Sequence, residues 1–342
     1  MLRRFEEAHF RYRGGLLRGA GALFYCQLAY FGGVALILSL NPVLMAVGTF
    51  AMAHGMVIAS YMIHECAHNA LFKLPGYNAR MGSMLSWLTG ACYGTFMDLR
   101  AKHLRHHVDN IDAAAFDYRG YLARHPVQLK IVEILEWLYV PAVELIMHGV
   151  LVAAPFIFEE KKKQRPRTTG VVAARFGLLF MLFLHAPAAY ACYLLACAVF
   201  LTILRFMDAL QHSYELVMPS ADSLDGAKRR GDKNYEQSHT FSNPVSVNHP
   251  WLNLVTLNFG YHNAHHARPT APWHELPKLH GELYGREAAC VIPFWRQLSS
   301  FHRSRVTRVL GDNSETEGSR FARRLENGSA VGASGVSFLT PF

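Results

Sequence analysis

Two uncharged apolar stretches, residues 21–40 and 43–63, follow each other with only Asn41-Pro42 between them. About twenty residues at 1.5 Å each span the hydrocarbon core of a bilayer, where a chain must be helical to satisfy its own backbone hydrogen bonds. A third apolar region has Pro187 near its middle and is long enough for two more spans. The sequence therefore predicts an all-α integral membrane protein with four transmembrane helices in two hairpins. Their expected bounds are about 21–40, 43–63, 171–188 and 189–208.

The basic residues flank these apolar stretches. Only 17% of the chain is charged, against about 25% in an ordinary protein, yet the net charge is +9. The arginines of residues 1–20 and the basic run 160–167 are placed on the cytosolic side by the positive-inside rule. Anionic membrane lipid is the partner that this distribution predicts, and nucleic acid is not.

Residues 131–158 are apolar enough to suggest a fifth span, but Glu133, Glu136 and Glu144 interrupt them. One more crossing would place the polar segments before and after it on opposite sides of the membrane. An interfacial or re-entrant helix is therefore the better prediction for this stretch.

Histidines form spaced clusters at or beyond the ends of the apolar stretches. HECAH has its two histidines at i and i+4, whereas HLRHH and HNAHH have theirs at i, i+3 and i+4, spacings that place each set on one helix face. A further histidine follows the last span. These candidate metal ligands are His64, His68, His103, His106, His107, His212, His262, His265 and His266.

HECAH also matches the zinc-protease signature H-E-x-x-H, in which Glu65 would be the general base. A catalytic zinc takes only three protein ligands, so a protease would leave most of the clustered histidines without a role. Nine imidazoles instead suit two metal ions, although imidazole alone does not distinguish zinc, copper, iron and nickel. Glu65 is then predicted to orient a ligand histidine through its ring N–H.

HECAHN, HLRHH and HNAHH, with an isolated QH before the last of them, resemble the histidine boxes of the membrane fatty acid desaturase superfamily. Residues 258–280, NFGYHNAHHARPTAPWHELPKLH, are especially similar to its third box, and the resemblance extends from about residue 20 to 285. One position departs from the pattern. The last box begins with His262 where many lipid desaturases have glutamine, and this leaves the reaction outcome open.

The resemblance implies a cytosolic helical cap that holds a di-iron site, with the nine clustered histidines as iron ligands and no catalytic residue beyond the metal centre. It also implies dioxygen as co-substrate and an acyl substrate carried on lipid, CoA or acyl-carrier protein. The chain has no haem, flavin, nicotinamide or iron–sulfur motif, so a separate electron donor such as ferredoxin or a cytochrome is expected. The membrane domain is expected to cover residues 21–300. The Gly- and Ser-rich residues 301–342 are expected to form a flexible tail.

An unactivated C–H bond has no acidic proton, so its oxidant must come from metal and dioxygen. Removal of two hydrogens gives a double bond, whereas addition of oxygen gives an alcohol. The leading hypothesis is an acyl desaturase, and the nearest alternative is a hydroxylase or ketolase of a lipid, alkane or carotenoid. From a different class, a metal-handling membrane protein would need ionisable ligands along its spans.

Carboxylates and amides near the clusters are candidates for orienting the ligand histidines. Asp208 lies one turn before His212, and Asn258 lies one turn before His262, so each is expected to share a face with its histidine. With Glu65, these two residues form the predicted orienting set. Other acids near the clusters are Asp98, Asp109, Asp112 and Glu215.

Overall fold

The structure is a computed structural model that describes residues 1–217, 228–285, 289–311 and 318–340. This part of the chain is mostly helical, as the sequence predicts. Its helices are α1 (Leu2–His9), α2 (Gly15–Leu38), α3 (Pro42–Ala67), α4 (Pro75–Thr89), α5 (Phe96–Asp109), α6 (Tyr118–Arg124), α7 (Pro126–Trp137), α8 (Ala142–Ile157), α9 (Arg165–His185), α10 (Pro187–Asp208), α11 (Lys233–Ser238), α12 (His262–Ala267), α13 (Leu276–Leu283), α14 (Phe294–Arg303) and α15 (Gly318–Glu326). Two short strands, β1 (Ile111–Ala113) and β2 (Glu215–Val217), pair in parallel. Short 3-10 helices cover Ala91–Tyr93, Glu159–Gln164, Pro250–Thr256 and Thr307–Val309.

Four helical segments of the described chain are long and apolar enough to cross a membrane. They are Gly15–Leu38, Pro42–Ala67, Glu159–His185 and Pro187–Asp208. The prediction of four candidate spans is confirmed. Every segment begins before its expected first residue, because helical hydrogen bonding continues into the flanking residues, and only Pro42–Ala67 also runs beyond its expected end. On α9, for example, Phe176, Leu178 and Phe180 are exposed, as expected of side chains that contact lipid. Their arrangement as two hairpins beneath a cytosolic cap stays a prediction.

The chain divides into two compact units, each of which has its own interior. The first unit consists of Met1–Leu99 and His148–Ile203, and the second consists of Arg100–Met147 and Leu204–Thr340.

The break between α2 and α3 in the first unit has a local cause. Asn41 Oδ1 accepts hydrogen bonds from the N–H groups of Val43 and Leu44 at 3.1 and 3.2 Å, and Pro42 occupies the first helical position.

Glycines allow α2 and α3 to pack closely. A Cβ added to Gly33 would lie 2.7 Å from Gly48 O and 2.8 Å from Met52 Cβ, whereas one added to the adjacent Gly32 would meet nothing within 4 Å. The backbones of the two helices therefore meet at Gly33, in the way that small residues let membrane helices approach.

A Gly33→Leu substitution is expected to force these helices apart and to cost about 1–3 kcal/mol of stability, the usual cost of overpacking. Gly32→Leu on the same helix is the matched control and should cost much less. The measurement is unfolding of the detergent-solubilised protein by SDS titration. Equal destabilisation by the two variants would contradict the close approach.

The stretch predicted to be interfacial or re-entrant forms α7 and α8, which meet at a bend of 120°. Leu138–Pro141 separate the two helices, and Tyr139 has a left-handed backbone with φ 62°. Glu136 and Glu144 are both buried inside the second unit, where they pair with Arg205. Two of the three glutamates that argued against a fifth span thus have an internal cationic partner, whereas Glu133 pairs with Lys130 at 3.3 Å. The interfacial placement stays a prediction.

The C-terminal residues differ from the flexible tail that we expected. In the described part, Phe321, Leu325 and Ala330 pack into a core with Leu210, Phe241, Ile292 and Phe301. Residues 329–340 then continue without regular structure but largely buried, because neighbouring side chains satisfy their carbonyls. Arg308 Nε donates to Val331 O at 2.7 Å, and Lys102 Nζ donates to Ser337 O at 2.9 Å. The prediction of a flexible tail from composition was wrong because a few apolar residues are enough to pack a Gly- and Ser-rich segment against the core.

Candidate metal centre

Seven of the nine predicted ligands belong to the second unit, and α5 and α12 supply six of them. Their spacing of i, i+3 and i+4 turns all the rings of one helix toward a common side, as the sequence predicts. His212 follows α10 and is held by an isolated bridge to Thr240. All seven rings are buried except that of His106, whose side chain is 16% exposed.

His106, His212, His262 and His266 form a four-histidine group. Each offers a ligand nitrogen within 4.8 Å of the others. His262 Nε2 lies 2.8 Å from His212 Nε2 and 3.2 Å from His266 Nε2. Three ring nitrogens thus converge on a small volume from two separate parts of the chain.

His103, His107 and His265 form a three-histidine group. His107 Nε2 lies 3.3 Å from His103 Nε2 and 3.1 Å from His265 Nε2. As in the four-histidine group, one central ring has its Nε2 facing two others. A single proton can bridge only one pair of nitrogens, so protein hydrogen bonds alone cannot satisfy three facing ring nitrogens, whereas a metal cation can bind them together.

The protonation of these rings also suits metal ligands, which must be neutral. Burial, with a smaller effect of His106, lowers the pKa of His265 to about 3. Burial likewise lowers the pKa values of His103, His212, His262 and His266 well below the ordinary histidine value, and neighbouring histidines add to the effect. The donor set therefore fits two cations bound by imidazole.

His64 and His68 belong to the first unit and lie where α3 ends. Both are buried, and their ring centroids are 4.8 Å apart, so the i, i+4 spacing brings them together as predicted. Glu65, which lies between them in the sequence, is also buried. Its role in orienting a histidine stays a prediction.

A buried glutamate that the sequence did not single out hydrogen-bonds one histidine of the four-histidine group. His266 Nδ1 donates to Glu236 Oε1 at 2.9 Å, and Glu236 is fully buried on α11. Lys233 Nζ lies 2.5 Å from the other carboxylate oxygen. A carboxylate on Nδ1 fixes the tautomer that leaves Nε2 free for a metal. No spacing rule links Glu236 to His266, thirty residues later, so only the folded chain reveals the pair.

Two other histidines of the four-histidine group also have polar partners at Nδ1. His106 Nδ1 donates to Ile111 O at 2.8 Å and lies 3.3 Å from Asp112 Oδ1. His212 Nδ1 is 3.4 Å from Thr240 Oγ1. Asp112 was among the acids considered from sequence, whereas Thr240 was not.

The remaining predicted orienting residues have other surroundings. Asn258 is buried, and its Nδ2 donates to Trp273 O at 3.1 Å. Asp208 ends α10, and its charge acts on the half-buried Lys102. Burial lowers the pKa of Lys102 to about 7, opposed by the carboxylates of Asp112 and Asp208. The orienting roles of Asp208 and Asn258 stay predictions.

The other acids considered from sequence have partners away from the ligand rings. Asp98 accepts from Gln164 Nε2 at 2.9 Å, and Asp109 pairs with Arg105 at 2.9 Å. Glu215 is exposed on β2.

Comparison with known families agrees with this geometry. A family model described as Fatty acid desaturase matches residues 40–296, most of the chain, including all three histidine clusters and His212. None of the curated proteins compared with the chain matches it.

Proposed function

The chain belongs to the fatty acid desaturase family, and on that premise we propose that it is an O2-dependent di-iron enzyme that introduces a double bond into an acyl chain. The family is one of oxidoreductases that use an acyl substrate and an electron donor. The observation that supports the proposal most is the convergence of seven imidazoles, nearly all fully buried, in two separate groups. Two groups of nitrogen ligands suit two irons better than one zinc.

In this proposal one iron is held by the four-histidine group. The other is held by the three-histidine group, completed by His64 and His68 as the resemblance of the HECAHN box implies. When bound, the two irons would supply the oxidising power that an unactivated C–H bond requires.

The chain's own residues prepare these sites. Burial keeps the rings of His103, His212, His262, His265 and His266 in their neutral form, so each can offer one ring nitrogen to a cation without first losing a proton. Glu236 and Thr240 hold the Nδ1 atoms of His266 and His212, which turns their Nε2 atoms toward the site. We place the irons on the cytoplasmic face of a bacterial inner membrane or the endoplasmic reticulum, where ferredoxin or a cytochrome could supply electrons.

A hydroxylase or ketolase of a lipid, alkane or carotenoid is the second candidate, and His262 at the start of the last box is the feature that supports it. A metal-handling protein is disfavoured. Eight of the nine predicted ligands lie outside the four candidate spans, and the ninth, His64, lies in the last turn of its span, whereas a transport path would place ligands along the spans.

The test is to express the chain with a reductase system and to determine the masses of cellular lipids. Loss of two hydrogens supports the desaturase, and gain of one oxygen supports the hydroxylase. His265→Ala should remove iron and lower activity. The loss of activity should exceed the factor of about 10–100 that is typical when a residue that orients a ligand histidine is removed. The control is His125→Ala, because His125 lies outside both groups and its ring donates a hydrogen bond to the Tyr121 carbonyl four residues earlier. Bound zinc, or full activity of His265→Ala, would contradict the proposal.

A further inference from the structure

Residues 329–340, which we name the C-terminal segment, contact the part of the chain that leads to His212. Ala333 N donates to Ala209 O at 2.8 Å, three residues before that histidine. At Gly332, where φ is +80°, an added Cβ would lie only 2.6 Å from the same carbonyl oxygen. The left-handed backbone and the close approach both require glycine there, so the two stretches of backbone touch directly.

The C-terminal segment also contacts helix α5, which carries three of the predicted ligands. Lys102 Nζ donates to Ser337 O at 2.9 Å and to Thr340 O at 3.0 Å. These two carbonyls flank Phe338, so one ammonium group fixes the backbone on both sides of that residue. Lys102 immediately precedes the ligand His103 in the chain.

Phe338 in turn packs against the ring of His103. The two ring centroids are 5.7 Å apart, and the ring planes are tilted by 57°. Phe338 is 8% exposed and His103 is 5% exposed. The Nε2 atom of His103 lies 3.3 Å from His107 Nε2 within the three-histidine group. The His103 ring therefore contacts a second ligand through its nitrogen and a phenyl ring that is not a ligand.

Further hydrogen bonds fix the middle of the C-terminal segment. The Tyr118 hydroxyl donates to Ser334 O at 3.2 Å, and Glu144 Oε1 accepts from Gly335 N at 3.0 Å. Leu339 is fully buried. A buried stretch without helix or strand needs such partners for its backbone groups. The segment is thus a fixed part of the second unit, and it can hold in place the side chains that it contacts.

We propose that the C-terminal segment covers the three-histidine group, with Phe338 and Lys102 as positioning residues that hold the ring of His103 ready for the metal. The inference rests on the proposed function because it takes this group to bind an iron. Packing that locks the rotamer of a ligand removes the cost of ordering that ligand when the metal binds. Apolar side chains around a metal site also control the access of water to it.

The first test needs neither iron nor activity. The metal-free full-length protein is treated with diethyl pyrocarbonate, which modifies accessible imidazoles, and the modified residues are identified by mass. In the Phe338→Ala protein, His103 should react at least about 10-fold faster than in the wild type, because truncation of a buried ring makes local opening more frequent. His249 is exposed and should react equally fast in both proteins.

The matched control is Phe321→Ala, another truncation of a buried phenylalanine near the C-terminus. Phe321 packs against Phe241 with ring centroids 4.7 Å apart and belongs to the core described above. Its truncation should leave His103 reacting far more slowly than in the Phe338→Ala protein. Equally fast reaction in the two variants would mean that overall stability protects His103, and this would overturn the proposal. Unchanged reaction of His103 in the Phe338→Ala protein would overturn it as well.

The second test measures iron affinity of the loaded protein by competition with a chelator, together with Mössbauer spectra. Phe338→Ala and Lys102→Met should each weaken binding of one iron by about 10-fold, the lower end of the range for residues around a metal site, and leave the spectrum of the other iron unchanged. The double variant should be scarcely weaker than either single one, because both changes act through the position of one segment. Phe338→Leu retains an apolar side chain and should restore most of the affinity.

Equal weakening at both irons, or fully additive effects in the double variant, would overturn the positioning role. A wild-type protein that binds no iron would contradict the proposed function instead. The diethyl pyrocarbonate measurement would still decide in that case whether the C-terminal segment covers His103, so the two failures can be told apart.

Discussion

Replacing Glu236 with glutamine should lower iron affinity and activity by about 10–100-fold, the usual effect of removing the partner of a ligand histidine. The carboxylate accepts the Nδ1 proton of His266 and so commits Nε2 to the metal. Its negative charge also makes the imidazole a stronger donor. Glutamine has nearly the same shape but no charge. Its NH2 group can also face Nδ1, which would move the ring proton to Nε2 and block the ligand atom.

Iron affinity is the decisive measurement, determined by competition with a chelator and accompanied by Mössbauer spectra of the iron that remains. Glu282→Gln is the matched control, since that carboxylate is 58% exposed and lies 3.8 Å from Lys278 as a surface pair. It should change nothing measurable. A Glu236→Gln protein that unfolds more easily but binds iron as tightly as the wild type would show that Glu236 has only a structural role.

The sequence predicted those parts of the site that depend on local spacing. The i, i+3, i+4 pattern of HLRHH and HNAHH requires a helix to bring the rings together, and α5 and α12 are those helices. The four apolar stretches likewise predicted four candidate spans because a helix in lipid needs only its own length and apolarity. Both inferences rest on periodicity, which is a property of neighbouring residues.

Contacts between distant residues could not be predicted in this way. Glu236 and Thr240 lie in a short helix and the turn after it, where nothing in the sequence marks them as partners of His266 and His212. Asp208 was chosen because it precedes His212 by one turn, but the charged groups that act on it are Asp112, His106 and Lys102. The buried segment 329–340 is the same kind of case, since its carbonyl partners Arg308 and Lys102 are remote in the chain.

Arg205 is the second residue for which we expect a large effect. It lies in the fourth apolar stretch, and its buried guanidinium contacts two buried carboxylates. Nη2 donates to Glu136 Oε1 at 2.9 Å, and Glu144 pairs with the same nitrogen. Both glutamates also accept hydrogen bonds from backbone N–H groups. Glu136 Oε1 accepts from Val143 N at 3.1 Å, and Glu144 Oε1 accepts from Gly335 N at 3.0 Å. Arg205 thus joins α10, α7, α8 and the C-terminal segment.

Arg205→Met should lower the free energy of unfolding by about 3–5 kcal/mol, because it leaves two buried carboxylates without the guanidinium that contacts both. The cost arises from uncompensated charge and not from a lost attraction. A triple variant with Arg205→Met, Glu136→Gln and Glu144→Gln should therefore recover most of the stability, since neutral side chains of similar volume carry no such penalty.

SDS titration of the detergent-solubilised protein measures these differences, and Arg323→Met on the exposed side of α15 is the control for loss of a surface arginine. That control should stay within about 0.5 kcal/mol of the wild type. If the triple variant were as unstable as Arg205→Met, the packing of the arginine side chain, and not its charge, would hold the four segments together. Recovery in the triple variant would instead mean that the charged triad can be replaced without loss of stability, as buried ion pairs in other proteins often can.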